Sequence, residues 1–298
     1  MVMFSNVMPQ LVADPGGGAL GLELPAGRLV DETVQGTWHV PLLWLAEQPA
    51  TPGEWTAHEA AWRAAELCPV LMDIGGHRGG PEGWDLLHDQ LSDPGDLEDE
   101  DMLSIIWDEI WEDRTGRAFG YGLPGGPDEV ASRIAPYGPR WPGLAPQGTP
   151  VADPEAHATE TAEALVAGSP FVDHSHLALV PAWRSADIPA AIGWNGALAH
   201  IEDPGVLSCV LRSWEERFGA RLVALTEDRV VLSVAAPPAT RAAAEALAAE
   251  HFALCPDLFT YGRHETLREY AAQEVADRPL WTFRWSGTLL RTAGDDTF

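Results

Sequence analysis

Residues 250–257 read EHFALCPD and hold the best candidates for catalysis in the sequence. His251 and Cys255 are four residues apart, so they share one face of a helix, and a Cys–His pair can act as a nucleophile or bind a metal. Glu250 is the third candidate. Leu247 lies on the same face, which favours a buried core His and Cys. Cys255 would also lie at a helix C-terminus, where the dipole disfavours a thiolate. The pattern therefore favours burial over catalysis.

Two histidines could contribute to a metal site. His174 and His176 form an H-x-H pattern where a predicted strand begins. Two histidines on one face of a strand can bind a metal, but two ligands do not make a site. Asp173 or His200 could complete the site only if the tertiary fold brought them there. We keep His174 and His176 as the metal candidates and predict no metal and no cofactor.

Two further segments carry weaker signals. Asp85, His88 and Asp89 lie close together on a presumed helix, and the same reservation about a metal site applies to them. Gly75–Gly80 (GGHRGG) could cradle a phosphate, but the segment has neither the Walker pattern nor the G-x-G-x-x-G spacing. Its composition favours a mobile loop.

The thirteen tryptophans are the other notable feature. Tryptophan is common at binding surfaces, where it could line a pocket for a sugar or another small molecule, although most of the thirteen are expected in the core. Four of them lie near the ends of predicted elements, and two of these four are next to an arginine in the sequence. Together they suggest a shared pocket or interface. The binding candidates are Trp183, Arg184, Trp194, Trp281, Arg284 and Trp285.

The charge of the chain restricts its partners. There are 45 acidic and 18 basic residues, for a net charge of −27 and a pI near 4.5. A nucleic acid is not expected as a ligand, because phosphate neutralisation needs a basic surface, and an anionic membrane is disfavoured for the same reason. A basic protein is permitted as a partner and would be steered electrostatically. The alternative is that the charge serves solubility alone.

The cytoplasm is the expected compartment. Three scattered cysteines form neither a C-x-x-C motif nor a disulfide framework. The N-terminal residues lack the basic and apolar regions of a secretion signal, and no apolar run reaches the roughly 18 residues that span a bilayer. All basic residues are arginine, which suggests a high-GC genome such as that of an actinomycete.

The elements that must position these residues are clearest in the C-terminal part. An apolar stripe predicts a helix over Val206–Phe218, with Gly219 as its end. A β-hairpin over Arg221–Val234 and a helix from Thr240 to Leu254 follow. The other predicted elements are a strand at His176–Ala182, helices near Ile188 and over Glu265–Val275, and a strand at Leu280–Trp285. The order β, α, β, β, α, β predicts a ferredoxin-like split βαβ sheet with its helices on one face.

Several runs in this part resemble a known family. They are Gly193–Trp194, LRSWEERFGARLV at Leu211–Val223, LSVAAPP at Leu232–Pro238, AEHFALCPD at Ala249–Asp257 and the tryptophan-rich end Trp281–Trp285. Together they are similar to the bacterial family called domain of unknown function 4253, over roughly residues 177–286. The family has no established activity, so the resemblance implies a domain and its boundaries but no mechanism.

The sequence predicts an α+β protein in three parts. Residues 1–119 form an acidic α/β region, residues 120–170 a linker rich in proline and glycine with a short helix, and residues 171–298 the C-terminal α+β domain. In the first part, an apolar stripe predicts a helix over Met102–Trp111 inside a strongly acidic segment. Its carboxylates form either a solvated face or a docking face for a basic protein.

These patterns favour a non-enzymatic binding protein. The leading hypothesis is an immunity-like or antitoxin-like protein that masks a basic partner, because the chain is acidic and lacks catalytic motifs. The alternatives are an enzyme that uses the His251/Cys255 region and a small-ligand sensor that uses a tryptophan-lined pocket. The sequence leaves the oligomeric state open.

Overall fold

The computed structural model describes residues 7–84, 86–87, 91–112, 127–172, 174–198, 200–260 and 263–285. These residues form a central β-sheet with helices on both faces. The strands are β1 (Gly27–Val30), β2 (Glu32–Thr33), β3 (Gly36–Thr37), β4 (Leu43–Pro49), β5 (Cys68–Asp73), β6 (Ser175–Val180), β7 (Ala220–Leu225), β8 (Arg229–Val234) and β9 (Leu280–Arg284). The helices are α1 (Met8–Ala13), α2 (Glu54–Ala64), α3 (Asp99–Glu112), α4 (Pro127–Arg133), α5 (Pro154–Ala167), α6 (Ile188–Ile192), α7 (Pro204–Phe218), α8 (Arg241–Leu254), α9 (Asp257–Thr260) and α10 (Leu267–Tyr270).

Seven strands form the main sheet, in the order β1-β4-β6-β5-β7-β8-β9. Neighbouring strands are antiparallel except β5 and β7, which are parallel, with Leu71 opposite Ala224. β5 is antiparallel to β6 over its full length, from Cys68 opposite Val180 to Asp73 opposite Ser175. The central strand β5 therefore joins two antiparallel halves of the sheet.

Alternating side chains of the strands divide the core into two layers. Val70 and Met72 of β5 point into the layer beneath α3, α6, α7 and α8, whereas Leu71 points into the layer beneath α1, α2 and α5. In β7 the register shifts between Leu222 and Ala224, so this strand departs from strict alternation. Because each of the two layers lies beneath a set of helices, both faces of the sheet are covered.

The mixed α/β class is confirmed, but the ferredoxin-like strand order is not found. A ferredoxin-like sheet would place the last strand beside the first one of the motif. Instead β9 pairs with β8, and β5 from the N-terminal part lies between β6 and β7. The C-terminal helices α6, α7 and α8 do lie on one face of the sheet, and the opposite face is covered by α1, α2 and α5 from the preceding part of the chain. The physical reason is that β9 occupies the edge of β8 that a ferredoxin-like arrangement would leave for β6, while β5 pairs with the outer edge of β7.

The local elements agree closely with their sequence patterns. α7 begins at Pro204, where the Asp203 side chain accepts a hydrogen bond from the amide of Gly205 at 2.7 Å, and it ends at Gly219 with a φ of 59°. In α8, Thr240 caps the helix by accepting a hydrogen bond from the amide of Ala243 at 3.2 Å. Caps of this kind stabilise a helix by about 1 kcal/mol each.

The segment predicted as a linker is packed where the structure describes it. α5 lies against β7 and β8. The amide of Gly148 donates to the carbonyl of Arg217, and the amide of Val151 donates to the carbonyl of Ala235. A Cβ at residue 148 would lie 1.9 Å from the carbonyl oxygen of Ala236, so only glycine fits there. This segment therefore forms part of the core rather than a free spacer.

The acidic helix α3 has two distinct faces. Its apolar stripe is buried in the same core layer as α7 and α8, and it packs against both of these helices. The carboxylates lie on the outer face, together with the half-exposed Ile105. In the described ranges, no helix is both long enough and apolar enough to cross a bilayer.

The position of β5 predicts that the C-terminal part does not fold alone. A fragment of residues 171–298 would lose β5 and leave the facing edges of β6 and β7 unpaired. We expect this fragment to unfold without a cooperative transition in urea, whereas the full chain unfolds cooperatively, as measured by circular dichroism. A sigmoidal transition of the fragment with a steep urea dependence would contradict this dependence on β5.

Candidate functional site

The side chain of His251 lies in the core and has no access to a substrate. Its ring packs edge to face against Trp214, Trp281 and Phe283, with centroid distances of 4.8 Å each. Nδ1 lies 3.0 Å from the hydroxyl of Tyr270, and Nε2 has no partner among the described residues. Burial, and to a smaller extent the charge of Arg217, lowers the pKa of His251 to about 3. The imidazole is therefore neutral at physiological pH.

Cys255 does not form a dyad with His251. Its Sγ donates to the carbonyl of Arg284 at 3.3 Å. Burial, followed by the negative charge of Asp257, raises the pKa of the thiol well above its ordinary value. A buried thiol held this way is a poor nucleophile, so the arrangement does not support the catalytic role considered for this pair.

Glu250 forms a buried ion pair that fixes a loop to two helices. Its carboxylate accepts two hydrogen bonds from Arg217, at 2.9 and 2.6 Å, and one from Trp214 Nε1 at 2.8 Å. The amide of Ala145 donates to it at 2.6 Å, and Arg217 donates to the carbonyl of Ala145 at 3.0 Å. Every oxygen of this buried carboxylate is satisfied, so Glu250 has a structural role that its sequence pattern did not reveal.

The two metal candidates are not brought together as ligands. His176 is buried and donates through Nδ1 to the carbonyl of Ala46 at 2.9 Å, whereas His174 is exposed and lies against Gly75. His200 donates instead to Asp257 at 3.1 Å. Among the described residues, no three His, Cys, Asp or Glu side chains are grouped so that they could hold a metal ion. The remaining candidates, Asp85, His88, Asp89 and Asp173, lie outside the described residues.

The predicted tryptophan pocket does not form as a single site. Trp194, Trp281 and Trp285 are all buried. Trp194 contacts Trp285 edge to face at 5.7 Å, and Arg284 pairs with Asp228 at the surface. Large aromatic rings contribute much buried area, which explains why the core takes most of them. Trp183, at 64% exposure, is the one exposed tryptophan among the described residues.

Trp183 borders a cleft where several elements meet. Trp183, Arg184 and Ser185 follow β6 in the chain. The cleft consists of a depression of about 250 Å³ and an adjoining depression of about 80 Å³. The start of β5 at Cys68 forms the wall common to both. We call this site the Trp183 cleft. Its charged lining consists of Arg63, Glu66, Glu155, Arg184, Glu215 and Arg221.

Arg184 keeps hydrogen-bond donors available in the Trp183 cleft. Arg184 donates through Nη1 to Glu216 at 3.0 Å, and its side chain is 39% exposed. Nε and Nη2 of this guanidinium make no other hydrogen bond within the described part of the chain. Arg63 and Arg221 both contact Glu155, which fixes their positions at the cleft wall. A guanidinium with two such donors can bind both oxygens of a carboxylate in a bidentate contact.

Glu215 lines the cleft with a largely buried side chain, and its carboxylate lies 3.8 Å from Arg221 Nη1. Burial raises its pKa, and the charges of Arg221 and Arg184 oppose that shift without cancelling it. Ser185 donates weakly to this carboxylate at 3.5 Å and accepts a hydrogen bond from the amide of Leu222 at 3.0 Å. A perturbed carboxyl in a cleft is typical of a functional site.

Cys68, although it lies in the cleft wall, is not a nucleophile. Its Sγ donates to the carbonyl of Ala182 at 3.1 Å. Burial raises the pKa of the thiol to about 12, against a smaller opposing effect of Arg63. The cleft therefore offers binding contacts rather than a thiolate.

Sequence reasoning found only part of this cleft. It identified Trp183 and Arg184 through their position at the end of a predicted strand. It missed Arg63, Glu155 and Arg221, which are far apart in the sequence and carry no local motif. The strand order brings them together, so only knowledge of the sheet pairing could have revealed them.

The neutral core histidine predicts a specific pH dependence. The pKa of His251 is about 3 in the folded chain and about 6.5 in the unfolded chain. Above pH 6.5 the imidazole is neutral in both states, so His251 does not lower the free energy of unfolding there. As the pH falls from 6.5 towards 3 the unfolded state binds a proton and the folded state does not, so the free energy of unfolding decreases. Between pH 7.5 and pH 5, His251 alone should reduce the free energy of unfolding by about 2 kcal/mol. Urea denaturation of the chain and of a His251→Gln variant measures the difference.

The exposed His39 provides the control for this prediction. A His39→Gln variant should lose as much stability as the unmodified chain between the two pH values, whereas His251→Gln should lose about 2 kcal/mol less. Equal losses for all three proteins would show that His251 takes up its proton in the folded state too.

Comparison with known proteins agrees with the family resemblance. The model of a family described as "Domain of unknown function (DUF4253)" matches residues 176–286. Neither the curated proteins nor the solved structures gave a match. The bacterial origin suggested by the composition stays a prediction. The matched segment extends from the start of β6 to the end of β9, and this part of the chain is a DUF4253 domain.

Proposed function

We propose that the protein is a non-enzymatic binding protein and that the Trp183 cleft is its ligand site. The observation that carries this proposal is the exposed indole of Trp183 beside the spare donors of Arg184. The ring of Trp183 is therefore accessible to a ligand, whereas the buried tryptophans are not. The candidate nucleophiles His251 and Cys255 are enclosed in the core, which favours binding over catalysis. We place this activity in the cytoplasm.

The chemistry of the cleft favours a small organic anion with a flat apolar part. A carboxylate can dock on the guanidinium of Arg184, while an aromatic or aliphatic body covers the indole of Trp183. The cavity volume of about 250 Å³ is below the usual range for drug-sized ligands, so the ligand is small. The fixed ion pairs of Arg63 and Arg221 with Glu155 give the cleft a rigid wall.

Aromatic carboxylates test the Trp183 cleft directly. We expect benzoate and phenylacetate to bind, and Trp183→Ala to weaken binding about five- to thirtyfold, because the indole contact contributes roughly 1–2 kcal/mol. Arg184→Gln should weaken binding similarly, because Gln lacks the charged guanidinium that binds both carboxylate oxygens. Isothermal titration calorimetry measures the affinity, and quenching of the Trp183 fluorescence supports the location.

Two controls sharpen this test. Val151→Ala removes another exposed apolar side chain and should leave the affinity unchanged. Benzylamine has the same ring with the opposite charge and should bind more weakly than benzoate. Tighter binding of benzylamine, or binding that is insensitive to Trp183→Ala, would contradict the proposed site.

The acidic face of α3 supports a second candidate function, the masking of a basic protein. Asp99, Glu100 and Asp101 lie in its first turn, where carboxylates are favoured by the helix dipole. Glu98, Glu100, Asp101 and Asp108 are exposed and have no cationic partner among the described residues. The exposed Ile105 adds an apolar contact to this face. Such a surface suits a partner with a basic, partly apolar face.

Neutralising this face tests the masking function. The variant carries Glu98→Gln, Glu100→Gln, Asp101→Asn and Asp108→Asn. The matched control carries four exposed changes elsewhere: Glu23→Gln, Glu32→Gln, Glu47→Gln and Glu202→Gln. We expect a basic model protein, cytochrome c, to bind the unmodified chain and the control equally and the α3 variant severalfold more weakly, as measured by calorimetry at low salt.

Salt provides the second readout, because surface charge pairs are screened at high ionic strength. Binding should disappear between about 0.2 and 0.5 M salt, where the screening length falls to a few ångströms. Affinity capture from a native lysate with elution in the same salt range would then identify the natural partner. Equal binding by the two quadruple variants would exclude α3 as the masking surface.

A further inference from the structure

The glycine-rich segment Gly75–Gly80 forms a fixed turn at the end of β5. The amide of Gly79 donates to the carbonyl of Gly76 at 3.1 Å, and Gly79 has a φ of 69°. Trp84 is buried behind the turn and donates through Nε1 to the carbonyl of Gly79 at 2.9 Å. The amide of Gly75 donates to the Asp73 carboxylate at 2.8 Å. These contacts hold the turn in one conformation.

Two successive amides of the turn bind one carboxylate. The amide of His77 donates to Glu227 Oε1 at 3.2 Å, and the amide of Arg78 donates to Glu227 Oε2 at 2.9 Å. Successive amides that converge on one anion form a nest, which is a recurrent binding geometry for phosphate and carboxylate groups. Glu227 has no ion pair with a cation among the described residues. Its charge is therefore balanced by backbone dipoles.

The glycines of the turn make room for this anion. A Cβ at Gly76 would lie 3.3 Å from Cδ and Oε1 of Glu227. A Cβ at Gly75 would lie 2.4 Å from Nδ1 of His174, whose ring covers the turn. Glycine at these positions permits the close approach of a bound group and of the neighbouring imidazole.

The turn occupies a favourable position in the sheet. β5 and β7 are the parallel pair, and both of their carboxyl ends open onto this turn and onto the hairpin tip that carries Glu227. Ligands of open sheets that contain parallel strands bind outside the carboxyl ends of those strands. The side chains of His77, Arg78 and His174 belong to the same region and could compensate the charge of an anion.

The hairpin tip is held in place without the Glu227 carboxylate. Trp194 donates through Nε1 to the carbonyl of Thr226 at 2.8 Å, and the amide of Trp285 donates to the carbonyl of Asp228 at 3.0 Å. The side chain of Asp228 accepts hydrogen bonds from Thr226 and Arg284. The tip therefore presents Glu227 to the nest and does not depend on the nest for its own position.

We propose that the Gly75–Gly80 turn is a binding site for a phosphate or carboxylate group and that Glu227 occupies it as an internal ligand in the free protein. A ligand with such a group displaces the Glu227 side chain and accepts hydrogen bonds from the amides of His77 and Arg78. This site is distinct from the Trp183 cleft, which lies at the opposite end of β5.

Emptying the nest tests the proposal. In the full-length chain, Glu227→Ala leaves the amides of His77 and Arg78 without their acceptor. We expect the variant to bind inorganic phosphate at least tenfold more tightly than the unmodified chain at constant ionic strength, as measured by calorimetry. The amide resonances of His77 and Arg78 should shift on titration in nuclear magnetic resonance spectra. Acetate in place of phosphate distinguishes a general anion site from one that prefers phosphate.

Three variants serve as controls. Glu23→Ala removes the same charge from an exposed position and should not gain phosphate affinity. Gly76→Ala in the Glu227→Ala background places a methyl group at the vacated site and should reverse the gain. Glu227→Ser also removes the carboxylate and shortens the side chain, and it replaces Glu227→Ala if the latter does not fold.

Two results would overturn the proposal. The first is an equal phosphate affinity of Glu227→Ala and the unmodified chain, which would make the Glu227 contact a structural link only. The second is a gain that Gly76→Ala does not reverse, or one without shifts of the His77 and Arg78 amides, which would place the anion elsewhere.

Discussion

The pairing of β5 with both β6 and β7 is the constraint on which the rest of the structure depends. β5 comes from the N-terminal part, yet it lies between two strands of the DUF4253 domain. Its backbone satisfies the facing edges of both neighbours, and its side chains enter both core layers. Unpaired strand edges inside a core are costly, so the family domain is completed by a strand from outside the matched segment.

The two ends of β5 also determine where the two proposed binding sites lie. Cys68 at its start forms the shared wall of the Trp183 cleft. Asp73 at its end accepts hydrogen bonds from the amides of Gly75 and His174 and so anchors the glycine turn. Because the same short strand carries both sites, each site combines residues of the family domain with residues from outside it.

The sequence predicted local structure well and long-range structure poorly, for a physical reason. α7 and β8 follow from periodicity and from end signals that act over a few residues, such as Asp203 and Gly219. Strand order depends on pairings between residues more than a hundred positions apart, and no local pattern encodes them. The ferredoxin-like prediction was wrong in its strand order because it assumed that the domain used only its own strands.

The same distinction applies to the candidate residues. Glu250 and His251 attracted a chemical interpretation because their types and spacing suit catalysis. What decides their role is the set of partners, Arg217 and Trp214 for Glu250 and a shell of aromatic rings for His251. A buried charge is tolerated only when it is paired and hydrogen-bonded. Burial and partners are tertiary properties, so residue spacing alone could not separate a catalytic carboxylate from a structural one.

The two proposed anion sites are compatible with a net charge of −27. At physiological ionic strength a surface charge is screened within about 8 Å, so an exposed carboxylate farther than this from a bound group acts on it only weakly. Recognition there depends on donors in direct contact, namely the guanidinium of Arg184 and the amides of His77 and Arg78. An anion therefore gains from entering either site only where its acceptor oxygens meet these donors directly.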